Sequence, residues 1–209
     1  MAGDLIPFTG DLEPDEEYEG MVFDGTSSGG ASFIDADAGN SHFVDCSFTG
    51  ASFDGGRLRK ARFTDCTLRD TRFVGSHLAE TGWRDVTLTG CALAGVQVFS
   101  ASMRRVTFRD GKLDSVNFRS GTLTDVTFEN CLLRDAEFGG ATLLRVSFGG
   151  CTLAGADFGR ASCTEVDLRG AELGITGGYE SLRGATIDSA QLAALAPLLA
   201  RHLGIVVND

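Results

Sequence analysis

Residues 126–158, "VTFENCLLRDAEFGGATLLRVSFGGCTLAGADF", place Phe or Leu at every fifth position: Phe128, Leu133, Phe138, Leu143, Phe148, Leu153 and Phe158. An amphipathic helix needs apolar residues at a mixed spacing of three and four, and a half-buried strand needs alternation. A strict period of five fits neither, so the chain is built from a repeat. Taking each such residue as position i, 27 consecutive centres run from Phe43 to Leu173 without a phase break. All are Phe or Leu except Trp83, Val98, Met103 and Cys163. Two residues earlier, position i−2 holds only Ala, Val, Cys, Gly, Ser or Thr, from Ser41 to Ala171. Small and large residues therefore alternate inward, while i−1, i+1 and i+2 are mostly polar or Gly, as positions that face water or make a corner should be. The pattern continues more weakly upstream at Tyr18, Phe23, Phe33 and Ala38, with Ser28 out of pattern.

Units such as "ADFGR" (156–160), "VDLRG" (166–170), "CTLAG" (151–155) and "ASFDG" (51–55) resemble the pentapeptide-repeat family, whose consensus is roughly A(D/N)LXX. The resemblance covers about 135 residues in strict phase. It implies an all-β solenoid: a right-handed quadrilateral β-helix with four pentapeptides per coil and the i and i−2 side chains filling its interior. It does not by itself assign a partner, since the family is functionally diverse.

Four repeats per coil make residues 20 apart stack, and the sequence agrees. One column of centres holds Phe48, Leu68, Leu88, Phe108, Phe128, Phe148 and Leu168; the next holds Phe53, Phe73, Leu93, Leu113, Leu133, Leu153 and Leu173. With adjacent strands about 4.8 Å apart, the repeats give nearly seven coils and a rod on the order of 32 Å long. Burying each Phe or Leu contributes roughly 1.5 to 3 kcal/mol before chain entropy is subtracted. The ends of such a rod need caps.

The chain divides accordingly into an acidic N-terminal tail (1–17), degenerate coils (18–40), the regular β-helix (41–175) and a C-terminal region (176–209). In the last, the frame breaks at "GITGGYES" and resumes shifted by one at Leu182 and Ile187. "DSAQLAALAPLLARHL" then reads as a helix, with Asp188 and Gln191 as a capping box and Leu192, Leu195, Leu199 and Leu203 on one face. Pro197 predicts a kink or two short helices, and "GIVV" (204–207) a short strand. A repeat array ending in a helix is similar to the fluoroquinolone-resistance pentapeptide proteins. That resemblance implies a homodimer through the C-terminus, formed by those four leucines; a monomer in which the helix only caps the rod is the alternative.

Chemistry-bearing residues are few. The six cysteines all fall inward, Cys46, Cys66, Cys91, Cys131 and Cys151 at i−2 and Cys163 at a centre. Spacing alone would allow disulfides between Cys46 and Cys66 and between Cys131 and Cys151, but the positions read as buried free thiols acting as small hydrophobes. No Cys or His spacing suits a metal, no nucleophile and base stand apart from the repeat, and no insertion between 41 and 175 could build a cleft. The sequence predicts a protein that is not an enzyme and takes no cofactor. With no basic start, and nowhere 18 consecutive apolar residues, it predicts a soluble cytoplasmic protein without a membrane partner.

Charge is banded. The net value is −11, yet residues 1–56 hold 12 acids and no Lys or Arg, residues 57–120 hold 6 acids and 12 bases, and residues 121–209 hold 11 acids and 6 bases. Down one corner, position i+2 at a spacing of 20 is charged throughout: Asp45, Asp65, Asp85, Arg105, Asp125, Arg145 and Glu165. One reading is structural: Asp suits a corner by accepting backbone hydrogen bonds, with Arg62 and Arg84 relieving the repulsion. The other is a ladder of carboxylates imitating phosphates, offered to a protein that grips DNA through Lys and Arg; Arg105 and Arg145 interrupt it. Resemblance to the loopless fluoroquinolone-resistance members makes that partner DNA gyrase, bound through Asp45, Asp65, Asp85, Asp125, Glu129, Asp135, Glu137, Asp157, Glu165, Asp167 and Glu172. A structural scaffold for an unrelated protein partner is the second reading. Direct nucleic-acid binding through Arg57, Arg59, Lys60, Arg62, Arg69 and Arg72 is disfavoured by the net charge and by the lack of a reading motif.

Overall fold

In the computed structural model, which describes residues 5–26 and 30–206, the five-residue period becomes a coil of four short sides. The first two sides carry regular strands: β1 (Ile6–Pro7), β2 (Glu17–Glu19), β3 (Met21–Asp24), β4 (His42–Val44), β5 (Ser47–Thr49), β6 (Arg62–Thr64), β7 (Thr67–Arg69), β8 (Gly82–Thr89), β9 (Ser102–Arg109), β10 (Thr122–Glu129), β11 (Thr142–Gly149) and β12 (Ser162–Thr164). Every pairing among them is parallel. From β4 onward the register is 20, with His42 opposite Arg62, Gly82 opposite Ser102 and Thr122 opposite Thr142. The other two sides are joined by single bridges at the same offset, such as Ser52 to Arg72 and Arg57 to His77. The strands β8 to β11 each run across a corner onto the next side. Their ladders skip the corner residues Asp85, Arg105, Asp125 and Arg145.

Inside, like sits on like. Phe43 stacks on Phe63 at 4.8 Å between ring centroids, Phe63 on Trp83 at 4.2 Å, Phe108 on Phe128 at 4.9 Å and Phe138 on Phe158 at 4.8 Å. These separations match the spacing of hydrogen-bonded strands, so ring stacking and the backbone ladder reinforce one register. The small i−2 residues leave room at the corners for those rings.

The ends depart from the regular coil. In the first, Glu17 lies opposite His42 and Val22 opposite Ser47, a register of 25. The Ala31 amide donates to the Asp24 carbonyl at 2.8 Å, which brings Ala31 next to Asp24 across the extra residues. Ser28, out of pattern in the sequence, lies outside the described residues. Upstream, part of the segment read as an acidic N-terminal tail is laid on this coil: β1 pairs with β3, Leu12 is buried, and the Phe8 ring sits 4.7 Å from that of Phe23. The carboxylates of Asp11, Glu13, Asp15, Glu16 and Glu17 stay on exposed residues.

At the other end Asp167 lies opposite Thr186, an offset of 19, which is the one-residue shift the sequence predicts. The helix α1 (Ser189–His202) follows, with its capping box formed: Gln191 N donates to Asp188 Oδ1 at 2.9 Å and Asp188 N to Gln191 Oε1 at 2.8 Å. Gln191 also closes the solenoid, because its Nε2 donates to the carbonyls of Leu168 (2.5 Å) and Ala171 (2.7 Å). The helix passes unbroken through Pro197, where one helix or two were open. Ala193, whose carbonyl loses its helical partner there, is an exposed residue, so water can serve it. The four leucines do not share one free face. Leu195 is buried while Leu192 and Leu203 are exposed and Leu199 is intermediate, since the docking side of α1 runs through Gln191 and Leu195. No strand forms at 204–206: Gly204 turns the chain at φ 71°, and Val207 lies outside the described residues.

Candidate interaction surface

The corners decide what the rod shows to a partner. Position i+2 adopts a left-handed backbone at every repeat from Asp35 to Gly170. In the charged column φ is 53° at Asp45, 54° at Asp65, 57° at Asp85, 54° at Arg105, 56° at Asp125, 53° at Arg145 and 53° at Glu165. This region is open to Gly, tolerated by Asn and Asp, and disfavoured for other side chains. Asp therefore occupies these corners for a backbone reason. The expected reason differs: among the described residues none of Asp45, Asp65, Asp85 and Asp125 accepts a backbone hydrogen bond.

Relief of repulsion also comes from an unexpected place. Arg84 Nε lies 3.6 Å from Asp85 and Arg62 pairs with no carboxylate among the described residues. The two arginines that interrupt the column do the pairing. Arg105 reaches back one coil to Asp85 with Nε to Oδ1 at 2.5 Å and Nη2 to Oδ2 at 2.6 Å. Arg145 does the same to Asp125, at 2.5 and 3.1 Å. The guanidiniums of Arg105 and Arg145 hold the Asp85 and Asp125 carboxyls below the usual carboxylate range. Glu129 is paired with Arg109 (2.8 Å), Glu137 with Arg119 (2.9 Å) and Asp167 with Arg169 (2.6 Å).

Of the eleven predicted partner-binding residues, Asp45, Asp65, Asp135, Asp157, Glu165 and Glu172 form no ion pair among the described residues. They do not make one ladder. Asp45 and Asp65 stand on adjacent corners near the N-terminal end, whereas Asp135, Glu137 and Asp157 line a shallow groove with Gly155, Thr176 and Gly177. The glycines leave this groove's wall as bare backbone, so its carboxylates are the reachable groups. Arg105, Arg109 and Arg145 stand at a spacing of 20 from their partners, but Arg119 and Arg169 do not; Gln191 was legible as a cap, while its second role as the lid of the last coil had no sequence counterpart.

The thiols lie where the pattern puts them. All six are free, five of them buried. Burial pushes Cys91 up to about 11, and the hydrogen bond within each stacked pair, with burial, pushes Cys66 and Cys151 far above the ordinary thiol range. Such groups stay protonated and unreactive. Among the described residues no group of three or more His, Cys, Asp or Glu is placed to hold a metal, and no helix is long and apolar enough to cross a membrane.

Comparison with known proteins returns the same repeat. Residues 81–158 match a family model described as a pentapeptide repeat region, and residues 29–65 and 147–174 match pentapeptide repeats (8 copies). No curated protein matches. Among solved structures, a trypsin-treated variant of QnrB1, a plasmid-mediated fluoroquinolone resistance protein, superposes with a TM-score of 0.58 at 15% identity, covering 93% of this chain and 99% of that one. HetL, a pentapeptide repeat protein involved in heterocyst differentiation regulation in the cyanobacterium Nostoc sp. strain PCC 7120, gives 0.54 at 17% identity, covering 85% and 92%. At these identities the likeness is one of fold. Matched by pentapeptide-repeat models over residues 29–65 and 81–174, and folded as those neighbours fold, the chain belongs to the pentapeptide-repeat family.

Proposed function

We propose that the protein is a non-enzymatic rod that binds a protein partner through its charged surface. The observation that carries this reading is the left-handed corner repeated at every fifth residue. It fixes outward side chains on a rigid lattice and leaves shallow grooves rather than a substrate-sized cleft. In its most concrete form the partner is DNA gyrase. The unpaired carboxylates of the C-terminal half, Asp135, Asp157, Glu165 and Glu172, would occupy its DNA-binding surface in place of phosphates, protecting it from fluoroquinolone-type poisons. The fold shared with a fluoroquinolone resistance protein supports this version. A homodimer through the exposed Leu192 and Leu203, with Leu199 beside them, would bring two such acidic halves together.

One observation favours the second reading, a scaffold for an unrelated protein. Arginines neutralise Asp85, Asp125, Glu129, Glu137 and Asp167, which a phosphate mimic would leave free. The deciding experiment is inhibition of gyrase-catalysed supercoiling by the purified protein, with relief of fluoroquinolone poisoning scored in the same titration. The mimic predicts inhibition at low micromolar protein, lost in the folded triple variant Asp135→Lys, Asp157→Lys, Glu172→Lys and kept in Asp45→Lys. Inhibition that survives the triple variant, or its absence in folded wild type, sinks the mimic and leaves the scaffold.

A further inference from the structure

The basic band of the rod contains a feature that the acidic reading does not use. On the first side of the coil the outward i−1 column reads His42, Arg62, Gly82, Ser102, Thr122, Thr142 and Ser162. Gly82 alone has no side chain. Its backbone does not require glycine: Gly82 has no positive φ, and a Cβ built there would meet only Arg62 Cγ, at 3.5 Å, an ordinary contact. Glycine within a strand weakens it, and sites where a ligand or another backbone approaches closely are one place it recurs.

What surrounds the gap is cationic. Arg62 lies one coil below Gly82 and Ser102 one coil above, in the same column; Arg84 and Arg104 stand on the neighbouring i+1 column. Together with His42 and Thr64 they line a shallow open groove of about 420 Å³ whose floor is the backbone at Gly82. Among the described residues nine arginines are held by carboxylates, whereas Arg84 has only the 3.6 Å contact to Asp85 and Arg62 and Arg104 are in no ion pair. Of the corner carboxylates on this side, Asp85 and Asp125 are already occupied by Arg105 and Arg145, and Asp65, which is in no ion pair among the described residues, is not among the residues that line the groove. Three exposed guanidiniums thus face one missing side chain. Guanidinium forks match the paired oxygens of a phosphate, and the hydroxyls of Thr64 and Ser102 can supply further donors.

We infer that the Gly82 notch is a binding site for a phosphate dianion, received between Arg62, Arg84 and Arg104. The phosphate can be free or carried on a phosphorylated side chain of a partner protein; both present the same dianion to the notch. This inference is independent of the acidic surface and of gyrase.

Trp83, the single tryptophan, lies buried beside the notch and reports on it. Its fluorescence, together with the amide shifts of Gly82 and Ser102, is followed while the full chain is titrated with inorganic phosphate, and separately with a short peptide bearing one phosphoserine, at constant ionic strength. Saturable shifts centred on Gly82 are expected. Arg84→Gln with Arg104→Gln should weaken binding roughly tenfold or more. Gly82→Leu should abolish it, and Arg134→Gln, a paired arginine elsewhere, should leave it unchanged. Tighter binding of the phosphopeptide than of its unphosphorylated form and of inorganic phosphate assigns the site to a partner's side chain; equal binding of the two phosphates assigns it to the free ion. Shifts spread over all arginine-bearing coils, no saturation, or an affinity indifferent to Gly82→Leu in a folded variant would overturn the inference.

Discussion

Two corners of the same coil solve one backbone problem in opposite ways. The corner after the third side is mostly glycine, at Gly55, Gly75, Gly95 and Gly155, with Asp35 before them and Ser115 and Asp135 between; the corner after the first side has no glycine from Asp45 to Glu165. Both are left-handed throughout, φ 68° at Gly75 against 54° at Asp65. Glycine adopts this conformation without strain and presents nothing. Aspartate adopts it at modest cost and presents a carboxylate, and the column then needs arginine every second coil or so to hold the charges. The difference teaches that charge on this rod is placed where the backbone permits it, so a row of aspartates is not by itself evidence of a partner.

The largest effect expected from breaking this contrast lies at the glycine corner. In Gly155→Val a β-branched side chain is forced to φ 78°, and its Cβ runs into Asp135 Oδ1. Left-handed strain for such a residue costs about 2 kcal/mol, and swinging Asp135 aside adds up to about 1 kcal/mol. Gly75→Val, with nothing within 4 Å of the new Cβ, carries the strain alone. Denaturant unfolding of both variants and of Gly155→Val in an Asp135→Gly background separates the two contributions. If Gly75→Val unfolds like wild type, left-handed geometry does not govern corner composition and the contrast falls.

A smaller effect tests the charged corner. Arg145 is strained at φ 53° but paired with Asp125. Arg145→Asn relieves the backbone and loses the pair, so its stability should stay near wild type, whereas Arg145→Val loses the pair and keeps the strain. The rank order Asn above Val, with the loss in Val smaller than in Gly155→Val, is the expected outcome of the same unfolding measurement. The reverse order would show that left-handed strain does not select the residue at this corner.

The interior of this fold was legible from its first quoted segment, because a period of five with small residues at i−2 resembles the pentapeptide-repeat family, whose coil the resemblance implies, and the centres Phe108, Phe128 and Phe148 stack as their spacing of 20 requires. The one-residue shift before Ile187 was legible for the same reason. The 25-residue first coil was visible only as a beat lost at Ser28, since a single sequence cannot tell a degenerate repeat from an inserted one. The surface was harder to read. That Asp85 and Arg105 face each other follows from their spacing, but whether a charge is free depends on side-chain reach, which the period does not encode. Arg59 illustrates it: the guanidinium pairs with Glu80, 21 residues on and beyond the stacked position. The helix face was misjudged because helical periodicity places Leu192, Leu195, Leu199 and Leu203 together, while docking on the last coil is directed by Gln191, a polar residue.

The smallest expected effect is in pH, and its sign separates neutralised from free carboxylates. Asp85 and Asp125 have folded-state pKa values lowered from 3.8 by hydrogen bonding to Arg105 and Arg145. A depressed pKa means the ionised form is favoured in the folded state, so the stabilisation is fully present above the unfolded value of about 3.9 and is lost as pH falls through the lower folded value. Wild type should therefore lose stability more steeply on acidification below about pH 4 than the double variant Arg105→Gln, Arg145→Gln, whose Asp85 and Asp125 titrate closer to their unfolded values. Both pairs are exposed, so the difference in slope should be small and shrink further in molar salt. Equal slopes in the two proteins at low salt would mean the arginines confer nothing on the carboxylates they touch. The charged column would then be held by the left-handed corner alone, and the contrast between the two corners would reduce to which side chains that backbone tolerates.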